Sequence, residues 1–138
     1  RGRIVNIYGN LGDTAGRYTS AYAVAKASLL RLTEQVALEC RDAGIAVLAL
    51  HPGLVRTAMT DELATGDAHR WLPAFATFPE ERFLPPDRLG DAIVAIATGA
   101  ADPLTGRLVY ASEDIPALAT QADRLAAKDE RVLRTTGT

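Results

Sequence analysis

A tyrosine and a lysine four residues apart, Tyr22 and Lys26, are the side chains in this sequence best suited to chemistry. Residues at this spacing share one face of a helix, with about 5–6 Å between their Cβ atoms. A nearby ammonium favours the phenolate form of a tyrosine, so the pair can pass a proton to or from a carbonyl oxygen. The same spacing also fits two side chains that only pack and solvate a helix, so their surroundings must decide between the two interpretations.

The pair lies between two segments whose patterns predict β-strands. Arg3–Tyr8 is a short β-branched run that ends at a glycine, and Ile45–Leu50 is apolar without alternation. An unbroken apolar run is typical of a parallel strand buried on both faces, so these segments and the helix between them predict a βαβ unit. Arg107–Ala111 is a third strand candidate. The predicted fold class is therefore α/β, with a parallel sheet covered by helices.

Caps and apolar spacing predict the helices. The helix that carries the pair is expected to have Ser20 as its N-cap and to end at Gly44. A proline pair at 85 and 86 is expected to open a second helix that ends at Gly99, and a third is expected over Ile115–Lys128. The residues predicted to face the core are Ala25, Leu29, Leu32 and Val36 in the first helix, Leu89, Ile93, Val94 and Ile96 in the second, and Leu118, Ala122, Leu125 and Ala126 in the third.

The composition argues against several classes of function. Hydrophobic residues make up 48% of the 138 residues and charged residues 23%, which suits a globular core and argues against disorder. A net charge of -2 gives no electrostatic reason to expect nucleic acid or an anionic membrane as a partner. No apolar run reaches the ~18 residues of a membrane span. A single cysteine, Cys40, fits a reducing compartment, so a cytoplasmic location is expected.

Several motifs together resemble the short-chain dehydrogenase/reductase family. They are the Ile-Val-Asn-Ile strand, the segment Ser20–Ser28 around the Tyr/Lys pair, Pro52–Thr57 after the second strand and, more weakly, Pro86–Leu89 leading to Leu104–Val109. They follow family order and spacing over residues 1 to about 112. The resemblance implies a Rossmann-like, doubly wound parallel sheet, present only as its C-terminal half, about three strands with flanking helices.

The same resemblance implies that residues 1–138 are the C-terminal part of a single domain of this type. The chain does not start with methionine, and its only methionine is Met59. The family's glycine-rich phosphate loop is not present in the sequence either, because Gly9, Gly12 and Gly16 do not have the G-x-G-x-x-G spacing. These glycines are expected to form a loop beside the pocket.

The resemblance also implies a function and roles for individual residues. It implies an oxidoreductase that transfers a hydride between a nicotinamide cofactor, NAD or NADP, and an alcohol or carbonyl substrate. Tyr22 is then the general acid/base, and Lys26 holds the nicotinamide ribose hydroxyls. Thr57 is expected to hydrogen-bond the nicotinamide carboxamide or a nearby phosphate. The residues expected to frame the nicotinamide ring are Pro52, Gly53 and Val55.

The substrate side of the site follows from the same resemblance. Residues 58–84 correspond to the substrate loop region, and Trp71 within it suits the wall of an apolar pocket. The other substrate-binding candidates end the first strand, namely Tyr8, Gly9 and Asn10. Family members commonly assemble as dimers or tetramers through the helix that carries Tyr22, so a homo-oligomer is also expected.

One departure from the family bears directly on catalysis. The family has a serine thirteen residues before the tyrosine, and that position holds Gly9, which has no hydroxyl to orient a substrate carbonyl. Loss of one positioned donor typically costs roughly 10²–10³ in rate. Asn10 or Tyr8 is a candidate substitute donor. A non-catalytic dinucleotide-binding relative, or a truncated chain that is inactive alone, is therefore the alternative to an enzyme.

The remaining polar candidates predict no second site. His51 and His69 are the only histidines and have no neighbouring cysteine or paired acidic ligands, so no metal site is expected. Cys40 has no basic cluster to activate it and is expected to be a packed or partly exposed thiol. Glu113 and Asp114 stand where the last helix begins and are expected to cap it.

Overall fold

A parallel three-stranded sheet forms the centre of the computed structural model, which describes residues 2–12 and 14–134. The strands are β1 (Gly2–Ile7), β2 (Ile45–His51) and β3 (Leu108–Tyr110), in the order β1-β2-β3. The pairing of β1 with β2 runs from Gly2 opposite Ile45 to Ile7 opposite Leu50. The expected α/β class with three parallel strands is confirmed. Predictions for residues 1, 13 and 135–138 lie outside the described residues.

Helices cover both faces of this sheet. The helices are α1 (Ser20–Glu39), α2 (Ala58–Thr65), α3 (Pro86–Thr98), α4 (Ile115–Ala119) and α5 (Ala122–Ala127). Short 3-10 turns occur at Asn10–Gly12, Asp67–Arg70, Pro73–Thr77, Glu80–Arg82 and Asp102–Leu104. Helix α1 packs on one face, whereas α3, α4 and α5 pack on the other. Among the described residues, no helix is both long and apolar enough to cross a membrane.

The central strand β2 supplies the core on both sides. Leu48 and Leu50 pack with Ile96 of α3 and with residues of α4 and α5. Ala49 points to the opposite face, where it packs with Leu30 of α1. Successive side chains of a strand alternate between faces, so an all-apolar sequence is what a strand between two helical layers requires. The prediction for β2 is confirmed because its pattern follows directly from burial on both faces.

Helix α1 packs against the sheet through a different face from the predicted one. Its buried residues are Leu30, Thr33 and Ala37, whereas Ala25 is exposed and Leu32 is 49% exposed. Thr33 accepts a hydrogen bond of 2.9 Å from Asn6 Nδ2, which satisfies its buried hydroxyl. The predicted stripe was wrong at Ala25 and Leu32, whereas its other two members, Leu29 and Val36, are half-buried beside the packed face.

The ends of α1 also differ from the prediction. Thr19, not Ser20, is the N-cap, and its Oγ1 donates to the Gly16 carbonyl oxygen instead of accepting from the helix. The helix ends at Glu39 with Cys40 as its C-cap. Gly44 has a φ of +66° and lies beyond a separate turn, immediately before β2. The predicted N-cap, Ser20, was therefore wrong by one residue. The predicted end at Gly44 lies several residues beyond the observed end.

For the helices after α2, the predicted ends agree with the structure better than the predicted buried residues do. Helix α3 starts at Pro86 and ends before Gly99, but Ile93 and Val94 are exposed, and Ala92 and Ile96 form its core. The single helix predicted over Ile115–Lys128 is two short helices, α4 and α5. Their core residues are Ile115, Leu118 and Leu125, whereas Ala126 is exposed.

The two acidic residues at 113 and 114 have different roles. Asp114 caps α4, because its Oδ1 accepts from the Ala117 backbone N–H at 3.0 Å, as predicted. Glu113 does not act as a cap. Its carboxylate accepts two hydrogen bonds from Arg131, at 3.0 and 2.6 Å, and so ties β3 to the C-terminal residues.

Candidate active site

The carboxyl end of β1 and the first turns of α1 bring Tyr22 and Lys26 together. Lys26 Nζ donates a 2.9 Å hydrogen bond to the carbonyl oxygen of Ile7, the last residue of β1. The same Nζ lies 5.6 Å from the centroid of the Tyr22 ring. An ammonium has three N–H donors, so this contact leaves two for a ligand. The helix spacing and the end of the strand thus place a phenol and a cation side by side.

Gly9 faces the phenol of Tyr22. Gly9 is buried, and an ideal Cβ built on it would lie 2.7 Å from Tyr22 Oη. Tyr22 itself is 43% exposed, so its hydroxyl lies between the end of β1 and the surface. The position that the sequence singled out for its missing hydroxyl is therefore in direct contact with the candidate acid/base.

The other two candidates at the end of β1 have different surroundings. Tyr8 is 1% exposed, and its ring makes an edge contact with the His51 ring at a centroid distance of 6.0 Å. A Cβ on Gly12 would lie 2.6 Å from Tyr8 Oη, so the phenol lies beneath the 3-10 turn. Asn10 begins that turn and is exposed. Of the two, Asn10 is the more accessible to a ligand.

His51 shapes the turn that follows β2, a role that sequence reasoning missed. Its Nδ1 accepts a 2.9 Å hydrogen bond from the Gly53 backbone N–H, and its ring lies 5.1 Å from the Tyr110 ring. Gly53 has a φ of +77°, which favours glycine, and Leu84 packs against it. A histidine directly before Pro-Gly was the available signal, because a side-chain acceptor there can reach the N–H two residues on.

Thr57 lies at the start of α2, where its hydroxyl has a structural partner. Thr57 Oγ1 accepts from the Thr60 backbone N–H at 3.3 Å, and Thr60 Oγ1 accepts from the Thr57 N–H at 2.8 Å. This reciprocal capping box fixes Thr57 at the helix terminus. Its hydroxyl proton remains to donate to a ligand, since the cap uses Oγ1 only as an acceptor. Pro52, Gly53 and Val55, half-buried, lead to this residue.

Residues 58–84 form a largely helical segment whose C-terminal end is joined to Leu54, a few residues before the segment begins. Leu54 pairs with Phe83 in an isolated parallel bridge, and Leu84 N donates to Leu54 O at 2.6 Å. Arg56 forms ion pairs with Glu80 and Asp61 and stacks over the Phe83 ring at 4.3 Å. The hydrogen bond to Glu80 raises the pKa of the Arg56 guanidinium above its usual value.

Trp71 connects this segment to the loop before α1. Its ring lies 5.0 Å from the Tyr18 ring, and the Arg70 guanidinium lies 5.0 Å from the centroid of Trp71. Tyr18 has a φ of +63° and stands four residues before Tyr22. Both rings are well exposed, so they form an aromatic surface on the side of the loop that precedes the candidate acid/base.

The other predicted polar positions show no second catalytic cluster within the described ranges. No group of three or more His, Cys, Asp or Glu side chains there is arranged to hold a metal ion. Cys40 is a free, half-buried thiol at the end of α1. A surface groove of about 500 Å³ lies between Leu30, Leu108 and residues 130–134, and its lining does not include the Tyr/Lys pair.

The described residues include two side chains with hydrogen-bond donors that a nicotinamide dinucleotide could use. The Lys26 ammonium has free donors for ribose hydroxyls, and Thr57 presents a hydroxyl at the end of the Pro-Gly turn. The glycines do not form a phosphate cradle, because the space above Gly12 is filled by the Tyr8 ring. Gly12 therefore offers no room for a phosphate, and the donors available among the named residues are those of Lys26 and Thr57.

Comparisons with known proteins give a consistent set of relatives. A family model described as enoyl-(acyl carrier protein) reductase matches residues 1–113. The 3-oxoacyl-[acyl-carrier-protein] reductase FabG of Buchnera aphidicola is 27% identical over 110 residues, which cover 80% of this chain and 44% of that protein. The chain thus spans less than half the length of the curated relatives it matches.

Solved structures show the same partial match. A short chain dehydrogenase/reductase family protein is 32% identical with a TM-score of 0.63, and the match covers 79% of this chain and 43% of that one. RhlG of Pseudomonas aeruginosa, solved as an NADP active-site complex, is 26% identical with a TM-score of 0.63, covering 83% and 46% of the two chains.

Proposed function

The chain belongs to the short-chain dehydrogenase/reductase family, and on that premise we propose that the intact protein is an oxidoreductase that uses NAD or NADP. It transfers a hydride between the nicotinamide and an alcohol or carbonyl carbon of a small molecule. The observation that carries this proposal is the convergence of Tyr22, Lys26 and the backbone of Gly9 at the carboxyl end of β1. This is the edge of a parallel sheet where ligands bind in open α/β folds.

Each residue of the pair has one task in this proposal. The Tyr22 hydroxyl gives a proton to the substrate oxygen during reduction and takes it back during oxidation. Lys26 keeps a positive charge beside the phenol and offers its free N–H donors to the ribose hydroxyls. Its hydrogen bond to Ile7 O holds the ammonium in place. The nicotinamide, when bound, supplies or accepts the hydride.

The neighbouring loops hold the two reactants in this proposal. Pro52, Gly53 and Val55 would frame the nicotinamide ring, and the Thr57 hydroxyl would donate to its carboxamide or to a nearby phosphate. The His51–Gly53 hydrogen bond and the capping box of α2 support this assignment, because both fix the backbone that presents these groups. Asn10 and Trp71 contact the substrate, and Tyr8 is the buried support beneath the turn that Asn10 begins. The segment over residues 58–84 covers the substrate.

Residues 1–138 are the carboxyl-terminal part of one domain in this proposal, and the phosphate-binding part precedes them. The intact protein is also proposed to form a dimer or tetramer through α1. Val24, Leu32 and Leu38 support this, because these apolar residues of α1 are about half exposed or more. Sedimentation of the intact protein tests the assembly, and a monomer at micromolar concentration would contradict it.

Isotope transfer tests the reaction class. The intact protein is incubated with nicotinamide cofactor deuterated at C4 of the reduced ring and with a panel of ketones and aldehydes, and the products are analysed by mass spectrometry. We expect deuterium on the former carbonyl carbon of at least one product. A non-catalytic dinucleotide-binding protein is the second candidate, favoured by the missing hydroxyl at Gly9. It predicts cofactor binding without any deuterium transfer.

A further inference from the structure

The strand β3 lies at one edge of the sheet, with β2 on one side and no further strand of the described residues on the other. The Arg107 carbonyl oxygen and the Ala111 N–H bond to β2. Backbone groups alternate in direction along a strand, so the N–H and carbonyl groups of Leu108 and Tyr110 point away from β2. An edge strand whose outward groups are unpaired is a template for pairing with another chain. The partners of these four groups therefore decide whether a second copy can pair with β3.

All four outward groups of Leu108 and Tyr110 bond to residues that follow β3. The Leu108 N–H donates to the Arg131 carbonyl oxygen at 2.9 Å, and the Leu108 carbonyl oxygen accepts from Arg131 Nη1 at 3.4 Å. The Tyr110 N–H donates to Glu113 Oε2 at 2.9 Å, and the Tyr110 carbonyl oxygen accepts from the Glu113 N–H at 3.0 Å. The ion pair between Glu113 and Arg131 joins the two sets of contacts. The hydrogen-bonding positions that another strand would use are therefore already taken.

The C-terminal strap, residues 129–134, crosses this edge from one face of the sheet to the other. It follows α5 on one face, and Leu133 packs on the buried cluster beneath α1 on the opposite face. Arg31 Nη2 donates to the Leu133 carbonyl oxygen at 2.9 Å, and Arg134 Nη2 lies 2.7 Å from Glu34 Oε1. The strap is thus held at α1 as well as at β3.

Two residues of the strap have backbone conformations that depend on such contacts. Asp129 has a φ of +52° and Arg131 a φ of +63°, in the left-handed region that residues other than glycine seldom adopt. Such conformations persist where the surrounding structure holds them. Loss of the ion pair between Arg131 and Glu113 should therefore release the strap from β3.

We propose that the C-terminal strap, held by the Glu113–Arg131 ion pair, closes the edge of β3 to pairing with a second copy of this chain. A second copy pairs there only when the strap is released. The strap lies beyond residues 1–113, the part of the chain that the family model matches. The proposal concerns assembly and does not depend on the proposed reaction.

The Arg131→Glu variant of the intact protein tests the proposal, because it places a second carboxylate against Glu113. In dilute solution, the Leu108 and Tyr110 amide hydrogens should exchange roughly tenfold faster or more than in the unsubstituted protein, since local opening sets the exchange rate. Arg41→Glu makes the same charge change on an exposed residue in the turn after α1, and exchange at these amides should be unchanged in it. Unchanged exchange in Arg131→Glu would overturn the proposal.

Assembly of the same variant is measured by sedimentation velocity at rising protein concentration. We expect a larger, concentration-dependent species that neither the unsubstituted protein nor Arg41→Glu forms. The Leu108 and Tyr110 amides should become protected again in that species, because a strand of the second copy then bonds to them. The absence of a larger species, or a larger species without renewed protection of these amides, would contradict the proposal.

The unsubstituted protein gives a test that does not depend on how the variant folds. Its Leu108 and Tyr110 amides should exchange slowly, because each donates to a partner from the residues after β3. Fast exchange of either amide would show that the edge is open and that the proposal is wrong.

Discussion

At the scale of single residues, the site depends on backbone groups as much as on side chains. Lys26 is held by the carbonyl oxygen of Ile7, and His51 holds the N–H of Gly53. The Tyr22 hydroxyl lies against the backbone of Gly9. Sequence motifs identified Tyr22, Lys26 and Gly9 by type and spacing. They did not predict these contacts, because a motif does not show which backbone group each side chain reaches.

Substitutions of Thr57 can separate an effect on the unfolding free energy from an effect on dinucleotide affinity. Thr57→Val should lose about 1 kcal/mol of unfolding free energy, because the N-cap acceptor of α2 is removed. It should also weaken dinucleotide binding, since the hydroxyl donor is lost. Thr57→Asp should keep the cap and lose only the binding, because a carboxylate accepts hydrogen bonds but cannot donate one, whereas Thr57→Ser should keep both. Denaturant titration and calorimetry measure the two effects, and wild-type affinity in Thr57→Asp would contradict the assigned contact.

At the scale of elements, prediction succeeded where burial left the sequence few alternatives. The strand β2 was predicted well, because a strand covered on both faces must be apolar along its length. The face of α1 was predicted wrongly, because Thr33 and Ala37 pack on the sheet and Leu32 is exposed. Apolar spacing identifies a helix but cannot show which face packs closely through small residues.

The C-terminal residues are joined to α1 by an ion pair whose pH dependence can be predicted. Glu34 accepts from Arg134, and that hydrogen bond lowers the pKa of Glu34 below its usual value of 4.5. A carboxylate with a lowered pKa stabilises the folded state above the unfolded pKa, and this contribution is lost as the pH falls through the folded value. The attachment of the C-terminal residues should therefore weaken in acid.

Substitution of Glu34 tests this pH dependence. Glu34→Gln should lower the unfolding free energy near neutral pH by about 0.2–1 kcal/mol, the usual size for an accessible ion pair. The difference from the unsubstituted protein should shrink as the pH falls below 4.5, the usual pKa of the group. Glu39→Gln, at the exposed end of α1, is the matched control. If Glu34→Gln lowered the unfolding free energy by the same amount at acid pH, the predicted role of the Glu34 carboxylate would be contradicted.

At the scale of the whole molecule, the described residues present only part of the proposed dinucleotide site. The proposed nicotinamide end has a cation, a hydroxyl and a fixed turn, whereas the loop glycines Gly12 and Gly16 are packed against Tyr8 and Leu11. The match to curated relatives likewise covers less than half of their length. Family membership followed from motif order in the sequence, but the substrate did not, because the loop residues define polarity and not a particular molecule.

Turnover of the Tyr22→Phe variant of the intact protein tests the central claim most directly. The variant removes the hydroxyl and keeps the ring, and Tyr18→Phe, four residues earlier, makes the same change on an exposed tyrosine. With any substrate that accepts deuterium from the cofactor, Tyr22→Phe should lose roughly 10²–10⁴-fold in kcat. Dinucleotide affinity should change little, and Tyr18→Phe should keep full turnover. Equal turnover in the two variants would contradict the account.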